Sequence, residues 1–165
     1  MRNVYLGLGS NLGDRELNLK NAVIAIAKHI GRIVCSSQVF ETEPLGFNSN
    51  NKFLNMVVEV ETDKDPVNLM RLILETEASL GRRRDSGKKY TSRIIDIDML
   101  IYGNTVIRTG FLTVPHPRMH ERKFVLVPLC EIAAGFIHPV FGKTFKMLLD
   151  ECQDKSSIEK QNRLG

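Results

Sequence analysis

The sequence predicts an α+β fold, a ferredoxin-like βαββαβ core in which helices pack on an antiparallel sheet and further elements follow at the C-terminal end. Four short segments have the apolar pattern of strands, and two longer segments have an apolar stripe at helical spacing. Their order along the chain is strand, helix, strand, strand, helix, strand, which is the split arrangement of ferredoxin-like folds. The length of 165 residues and the 42% hydrophobic content suit one domain with one core.

The first half of this core begins with a strand at residues 3–8 and an amphipathic helix from about residue 14 to residue 29. Gly31 follows the last apolar position of the helix and is expected to end it. Residues 32–42, "RIVCSSQVFET", alternate along the chain and predict one long second strand. A loop rich in Gly and Asn, residues 43–52, then leads to the third strand.

The third strand, residues 53–62, separates into two faces because successive strand side chains point in opposite directions. One face is entirely apolar and is expected to cover the core. The other face mixes aromatic, amide and acidic side chains and is expected on the open side of the sheet. The core face consists of Leu54, Met56, Val58 and Val60, and the open face of Phe53, Asn55, Val57 and Glu59.

The second helix has unusually clear end signals. Asp65 is a favourable N-cap and Pro66 suits the first helical position, while Gly81 is expected to stop the helix after Leu80. Glu77 lies on the apolar stripe of this helix. It either turns outward to water near the helix end or points into a site, and the sequence leaves this open.

The fourth strand, within "TSRIIDIDMLIY", carries two acids. Asp96 and Asp98 are two positions apart and therefore point to the same face. The pair either faces water, as in many half-buried strands, or binds a divalent cation through its oxygen atoms. The opposite face consists of Ile95, Ile97, Met99 and Ile101.

The remaining segments are expected to decorate this core. Residues 101–107, "IYGNTVI", predict a tight hairpin whose Gly-Asn pair suits the turn. Residues 115–151 are expected to add short helices around the sheet. From about residue 153 the chain has the composition of a frayed polar tail. The whole chain, 1–165, is expected to form a single domain.

The positive charge of the chain is concentrated in one segment. The net charge is +4, but residues 82–93, "RRRDSGKKYTSR", carry +5, so the remainder is slightly acidic. A general nucleic-acid-binding surface is therefore not indicated. This basic segment lies directly before the strand that bears Asp96 and Asp98.

The sequence also bears on location and redox state. The opening "MRNVYLGLGS" is too poor in apolar residues for a signal peptide, and no apolar run approaches the length of a membrane span. We therefore expect a cytoplasmic protein that does not engage a membrane. The three cysteines are far apart and include no CxxC pair, which argues against a disulfide framework or a zinc knuckle.

Three motif-like patterns do not fit their motifs. "GLGSNLG" is one residue longer than the dinucleotide fingerprint, and "GRRRDSGKK" has one residue too many between its glycines for a P-loop and lacks the following Ser or Thr. His116 and His120 are four apart, but Pro117 argues against one continuous helical metal face and no third ligand stands out.

Cations beside paired carboxylates suit phosphoryl transfer. Asp96 and Asp98 can hold Mg²⁺, and arginines or lysines can neutralise charge on the transferring group. The βαββαβ order is shared with RNA-recognition modules, but two acids occupy the face on which such modules stack bases. Another Mg²⁺-dependent phosphotransferase or nucleotidyltransferase is the broader alternative.

Several segments together resemble the 6-hydroxymethyl-7,8-dihydropterin pyrophosphokinase family of folate biosynthesis. The resemblance covers nearly the whole chain in order, and the fourth and fifth of its five blocks, "SRIIDIDMLIYGN" and "VPHPRMHERKFVLVPLCEIA", are its most specific parts. The remaining blocks are "YLGLGSNLGDR", "FLNMVVEVET" and "ETEASLGRRR".

The resemblance implies transfer of pyrophosphate from ATP to the pterin hydroxymethyl group, with release of AMP. It implies that Asp96 and Asp98 hold two Mg²⁺ ions. The expected partners are the two small-molecule substrates, without nucleic acid, and the sequence leaves open whether there is a protein partner. The cationic residues expected at the phosphates or the nucleotide are Arg82, Arg84, Arg93, His116 and Arg122, and Arg82 and Arg93 are expected to be catalytic together with the two acids.

On the pterin side, the resemblance implies that Phe53 and Phe124 sandwich the substrate and that Asn55 bonds its edge, which suits a flat heteroaromatic ring. Thr42 and Leu45 are expected to add backbone contacts. Some family members carry Trp in the basic loop, whereas this chain has no Trp. The contacts of Lys88 and Tyr90, like the role of Glu77, therefore stay open.

Overall fold

The computed structural model describes residues 1–44, 51–82, 93–162 and 164. Within these ranges the strands are β1 (Arg2–Ser10), β2 (Arg32–Ser36), β3 (Phe40–Thr42), β4 (Phe53–Thr62), β5 (Asp96–Tyr102), β6 (Ile107–Arg108), β7 (Thr113–Val114) and β8 (Ile158–Lys160). The helices are α1 (Arg15–His29), α2 (Pro66–Ser79), α3 (Lys123–Ala133) and α4 (Phe145–Glu151), with a 3₁₀ turn at Met119–Glu121.

The main sheet has the order β5-β1-β4-β3-β8, and β2 also pairs with β4. All these pairs are antiparallel. The core order is last, first, third, second, which confirms the predicted ferredoxin-like arrangement. Helices α1 and α2 pack on one face of the sheet, and α3 and α4 cover part of the other face.

The predicted helix ends are confirmed. The Asp14 carboxylate accepts a hydrogen bond from Leu17 N at the start of α1, and Asp65 caps α2 in the same way. Gly81 after α2 has a φ of +96°, a conformation that favours glycine. Gly31 after α1 is required for a different reason, since a Cβ there would lie 2.3 Å from the Glu61 carbonyl oxygen.

The prediction of one long second strand is wrong, because the chain leaves the sheet between β2 and β3. At this break the Ser37 backbone N–H donates to Val57 O, and the Ser37 hydroxyl accepts from Val57 N, both at 2.9 Å. Gln38 N donates to the Glu131 carboxylate at 2.8 Å. Side chains thus replace part of the strand ladder and stabilise the interruption.

The face assignment of Ile101 is also wrong. The register of β1 against β5 shifts so that Tyr5 pairs with Ile101 and Leu6 with Met99, leaving Leu100 as the extra residue of a β-bulge. Ile101 therefore packs in the same apolar cluster as Leu100, on the α3 side. Because the bulge follows the acid pair, it does not disturb the shared face of the two aspartates.

The end of β5 does not form the predicted hairpin. A turn follows, in which Thr105 N donates to Tyr102 O at 3.0 Å, but β6 pairs with β7 instead of β5. The predicted short helices between residues 115 and 151 are confirmed as α3 and α4. The expected fraying of the tail is wrong for β8, which pairs with β3 at the sheet edge.

Among the described residues, no helix has the length and apolar character needed to cross a bilayer.

Candidate functional site

A pocket lies on the open face of the sheet, and its floor is made by two glycines and two aspartates. In the register of β1 against β5, Gly7 stands opposite Asp98 and Gly9 opposite Asp96. Because glycine has no side chain, space remains above the sheet beside both acids. The pocket contains about 660 Å³, counting its open mouth.

The pocket brings together most of the predicted site residues. They come from strands that are distant in the chain and from the start of α3, so only the folded sheet unites them. Its lining includes Thr42, Phe53, Asn55, Arg93, Asp96, Asp98, Arg122 and Phe124.

One wall of the pocket is neutral. Asn55 is buried, and its Nδ2 donates to the Thr42 hydroxyl at 2.6 Å. Its Oδ1 lies toward Gly9, where an added Cβ would approach it to 2.9 Å. An amide whose donor is engaged and whose acceptor faces the pocket can receive an N–H group from a ligand. Phe53 and Phe124 add partly exposed aromatic rings to this wall.

The opposite end of the pocket is a network of charges around Asp96. Arg82 Nη1 donates to Asp96 Oδ1 at 2.6 Å, and Arg93 Nη1 donates to Asp96 Oδ2 at 2.8 Å. The side chains of Arg82 and Asp96 are only 13% and 21% exposed. Solvent screens such pairs less than it screens surface ion pairs.

Glu77 lies behind this network, on the sheet side of α2. Its side chain is 3% exposed and is ion-paired with Arg82. Its Oε2 also accepts a hydrogen bond from Ile97 N at 2.8 Å. Burial raises the pKa of this carboxyl, while the Ile97 N–H and the Arg82 charge oppose the increase. Of the two orientations left open by the sequence, the inward one is found.

Asp98 has a different environment from its partner. Burial raises its pKa to about 8, and the negative charges of Asp96 and Glu77 act in the same direction. Within the ranges that the structure describes, no hydrogen bond to the Asp98 carboxylate is found. Asp96 is therefore held by two arginines, whereas Asp98 has no such contact among the described residues. A cation bound beside Asp98 would stabilise its ionised form.

His116 and Arg122 occupy the loop and helix start next to the acids. Burial, together with the positive charge of Arg122, lowers the pKa of His116 to about 4. The His116 backbone N–H donates to Leu100 O at 2.9 Å. Like Arg82, which reaches the site through Asp96, His116 is outside the set that lines the pocket. The Arg122 guanidinium lies 5.7 Å from the ring centre of Phe124, and its Nε is buried without a hydrogen bond to any described residue.

Some predicted residues lie outside the described ranges, and some pocket residues were not predicted. Leu45, Arg84, Lys88 and Tyr90 belong to the first group. Gly7 and Gly9 belong to the second. Their signal was present in the sequence, since glycines two apart in a strand leave one sheet face bare. The other unpredicted lining residues are Leu8, Glu43, Met56, Val57 and Val125.

Comparisons with known proteins identify the family of this chain. Residues 5–134 match the family model for 7,8-dihydro-6-hydroxymethylpterin-pyrophosphokinase. A Bacillus subtilis protein named 2-amino-4-hydroxy-6-hydroxymethyldihydropteridine pyrophosphokinase is 43% identical over 134 residues, covering 80% of this chain and 79% of its own. An Aquifex aeolicus protein of the same name is 40% identical and covers 88% of this chain and 89% of its own.

A solved structure supports the fold. The Plasmodium falciparum HPPK-DHPS protein, in the crystal structure of the wild type with SDX-DHP, superposes with a TM-score of 0.71 at 17% identity and covers 92% of this chain. This chain spans 43% of that longer protein. The family-model match extends over most of the chain, and the two bacterial relatives are at least 40% identical over most of their length. The chain therefore belongs to the 7,8-dihydro-6-hydroxymethylpterin-pyrophosphokinase family.

Proposed function

We propose that the pocket on the open sheet face is the active site of an Mg²⁺-dependent pyrophosphokinase, with the nucleotide phosphates at its charged end and the pterin at its neutral wall. The reaction follows from family membership: pyrophosphate passes from ATP to the hydroxymethyl group of 6-hydroxymethyl-7,8-dihydropterin. The hydroxymethyl oxygen bonds to the β-phosphorus and gives up its proton to solvent, the bond from the β-phosphorus to the oxygen that bridges it to the α-phosphorus breaks, and AMP leaves with that oxygen. The observation that carries the proposal is that the acid pair and the neutral wall line one and the same pocket.

The acid pair suits magnesium. Carboxylate oxygens are the ligands that Mg²⁺ prefers, and the glycine floor leaves room beside both acids. Among the described residues, no cluster of three or more His, Cys, Asp or Glu ligands is found. Two carboxylates fit an ion that takes its remaining ligands from phosphate and water, and the family resemblance implies two ions. When bound, the metal neutralises charge on the phosphates and holds them in position.

The cationic residues would contact the phosphates. Arg82 and Arg93 already lie at the charged end, where Asp96 orients their guanidinium groups. A planar guanidinium can bond two phosphate oxygens at once, so both are suited to stabilise charge on the transferring group. Arg122 and His116 would bind the nucleotide. With its lowered pKa, His116 is neutral near pH 7 and can act as a hydrogen-bond partner without adding charge.

The neutral wall would bind the pterin. Phe53 and Phe124 supply ring faces, and Asn55 supplies a carbonyl oxygen held in place by its bond to Thr42. A flat heterocycle gains from stacking, and its polar edge needs fixed partners once it is removed from water. Because Asn55 is held before any ligand enters, little side-chain ordering remains to be done on binding.

Glu77 would act at one remove from the substrates, as a positioning residue. It fixes Arg82 on one side and the backbone of Ile97, between the two acids, on the other. These contacts tie α2 to the strand that carries the site. We assign Glu77 no contact with either substrate.

Identification of the nucleotide product tests the proposed function. The protein is incubated with ATP, Mg²⁺ and 6-hydroxymethyl-7,8-dihydropterin, and nucleotides are separated by chromatography. We expect AMP and the pterin diphosphate, loss of turnover with excess chelator, and recovery on addition of Mg²⁺. Formation of ADP, or undiminished turnover in chelator, would contradict the proposal.

A further inference from the structure

The C-terminal tail segment, defined here as residues 152–160, lies outside the part of the chain that matches the family model. It leaves the end of α4, passes the start of α3 and then forms β8 at the sheet edge. Two of its contacts adjoin the proposed substrate pocket, and a third joins Lys160 Nζ to the Glu131 carboxylate of α3 at 2.8 Å. This position makes the tail a candidate for positioning pocket residues without itself lining the pocket.

The first contact is at the start of α3. The N-cap residue of this helix is Arg122, which makes no side-chain capping bond of its own. Instead, Asp154 Oδ2 accepts a hydrogen bond from Lys123 N at 3.0 Å. Free N–H groups at a helix start favour a negatively charged partner. Asp154 thus caps a helix that begins 31 residues earlier in the chain.

The Asp154 carboxylate is itself held in place. Its Oδ1 accepts bonds from Ser156 N at 2.9 Å and from the Ser156 hydroxyl at 2.6 Å. Burial raises the pKa of Asp154, but these bonds and the one from Lys123 N outweigh burial and leave the pKa below its ordinary value. The cap is therefore ionised near neutral pH.

The second contact is at the opposite wall. In the pairing of β3 with β8, Thr42 stands opposite Ile158. Thr42 is the residue that holds the Asn55 amide. Gln161 N extends the attachment by donating to Val39 O at 2.7 Å. The tail therefore joins the start of α3 to the strand that carries Thr42.

We propose that Asp154 is a positioning residue for the pyrophosphokinase reaction, which sets Arg122 and Phe124 at the pocket by capping the helix on which they lie. Arg122 and Phe124 flank Lys123, the residue whose N–H Asp154 binds, and both line the pocket. Loss of the cap frees the first turn of α3 and lets both side chains leave their places. This inference rests on the proposed substrate contacts of Arg122 and Phe124.

Steady-state kinetics of Asp154→Ala, with the full chain, test the inference. We expect KM for the pterin and for ATP to rise about fivefold, the size of a typical cap loss, with a smaller change in kcat. Asp154→Asn keeps the size of the side chain but has one acceptor oxygen for two sets of donors. Its KM values should therefore lie between those of the wild type and those of Asp154→Ala. Asp150→Ala is the matched control, since Asp150 is exposed and pairs only with Lys146 among the described residues. It should leave both constants unchanged.

Arg122→Ala and Phe124→Ala, measured in parallel, separate the two proposals. If these variants raise KM while Asp154→Ala and Asp154→Asn keep the wild-type KM, the positioning role is overturned and the proposed site stands. A lower Tm with unchanged KM would show a merely structural cap and would also overturn it. If Arg122→Ala and Phe124→Ala themselves have no effect, the substrate assignments fail and the inference fails with them. If Asp154→Ala does not fold, Asp154→Asn decides.

Discussion

The two ends of the pocket differ in how their polar groups are satisfied. At the neutral wall, Asn55 and Thr42 form one buried hydrogen bond that leaves an amide oxygen toward the pocket. At the charged end, Asp96 is held by Arg82 and Arg93 while Asp98 has no such contact among described residues. The neutral wall can accept a flat ring as it stands. The charged groups at this end must change their ionic partners when phosphates and metal bind. We therefore expect substitutions there to have larger effects than substitutions at the neutral wall.

Replacement of the acids should have the largest effect. Asp96→Asn and Asp98→Asn should each lower turnover by roughly 10³-fold or more, because an amide cannot supply the charge that a metal bridging phosphates requires. Turnover is measured by AMP formation over a range of Mg²⁺ concentrations. Asp150→Asn, at an exposed pair on α4, is the control. Near-normal turnover in either acid variant would contradict the proposal that the metal binds at the charged end.

Asp98→Asn should also change how stability depends on pH. The folded pKa of Asp98, about 8, is above its ordinary value of 3.8. The folded protein therefore keeps a proton that the unfolded chain has lost, and this group lowers stability as pH rises through that window. In urea unfolding with chelator present, the variant should gain stability relative to wild type from about pH 4 to pH 8. A constant difference across this window would contradict the assignment.

Substitution of each of the two arginines should lower turnover, but the two substitutions should differ in their effect on stability. Arg82→Ala and Arg93→Ala should each lower turnover by about 10³-fold, as for arginines that meet charge on a transferring phosphoryl group. Only Arg82→Ala should also destabilise the fold, by about 3 kcal/mol, because it removes a cation that is ion-paired with the buried Glu77 carboxylate. Stability is measured by calorimetry, and turnover is measured by AMP formation.

A second substitution checks that explanation. In the Arg82→Ala background, Glu77→Gln removes the buried charge and should restore part of the lost stability without restoring turnover. Equal destabilisation by the two arginine variants would show that Glu77 does not depend on Arg82.

A methyl group on the pocket floor should perturb the neutral wall more than the charged end. The Cβ of Gly9→Ala would lie 2.9 Å from Asn55 Oδ1 and 3.6 Å from the Phe53 ring, so Asn55 must move. We expect the Kd of the pterin to rise about tenfold, the value of one hydrogen bond at a buried site, with a smaller change for ATP. Titration calorimetry measures both. Gly110→Ala, which meets no atom within 4 Å among described residues, is the control.

The smallest expected effect concerns His116, beside the charged end. Its folded pKa of about 4 lies below its ordinary value of 6.5. The unfolded chain therefore binds a proton that the folded protein does not, and stability is lost as pH falls from about 6.5 to 4. Because His116 is partly exposed, solvent weakens the full effect of this shift, and His116→Gln should reduce the acid-induced loss by about 1 kcal/mol. Urea unfolding at pH 7 and pH 4.5 measures the difference. An unchanged pH dependence would place His116 in a more open environment.

The sequence alone determined the features that depend on neighbours in the chain. The caps at Asp14 and Asp65 are local, because each side chain bonds a backbone N–H three residues ahead. The shared face of Asp96 and Asp98 follows from strand alternation. The family resemblance also came from the residues, because its blocks retain their types in order along most of the chain.

Only the tertiary structure decided features whose partners are distant in the chain. The break after β2 depends on Glu131, which binds Gln38 N from α3. The bulge at Leu100 depends on its register with β1, and the ordered tail depends on β3. The inward orientation of Glu77 required Arg82 and Ile97 N to be in place. A local pattern cannot contain these contacts, because the energy of a buried charge or an unpaired strand edge is set by groups that folding brings to it.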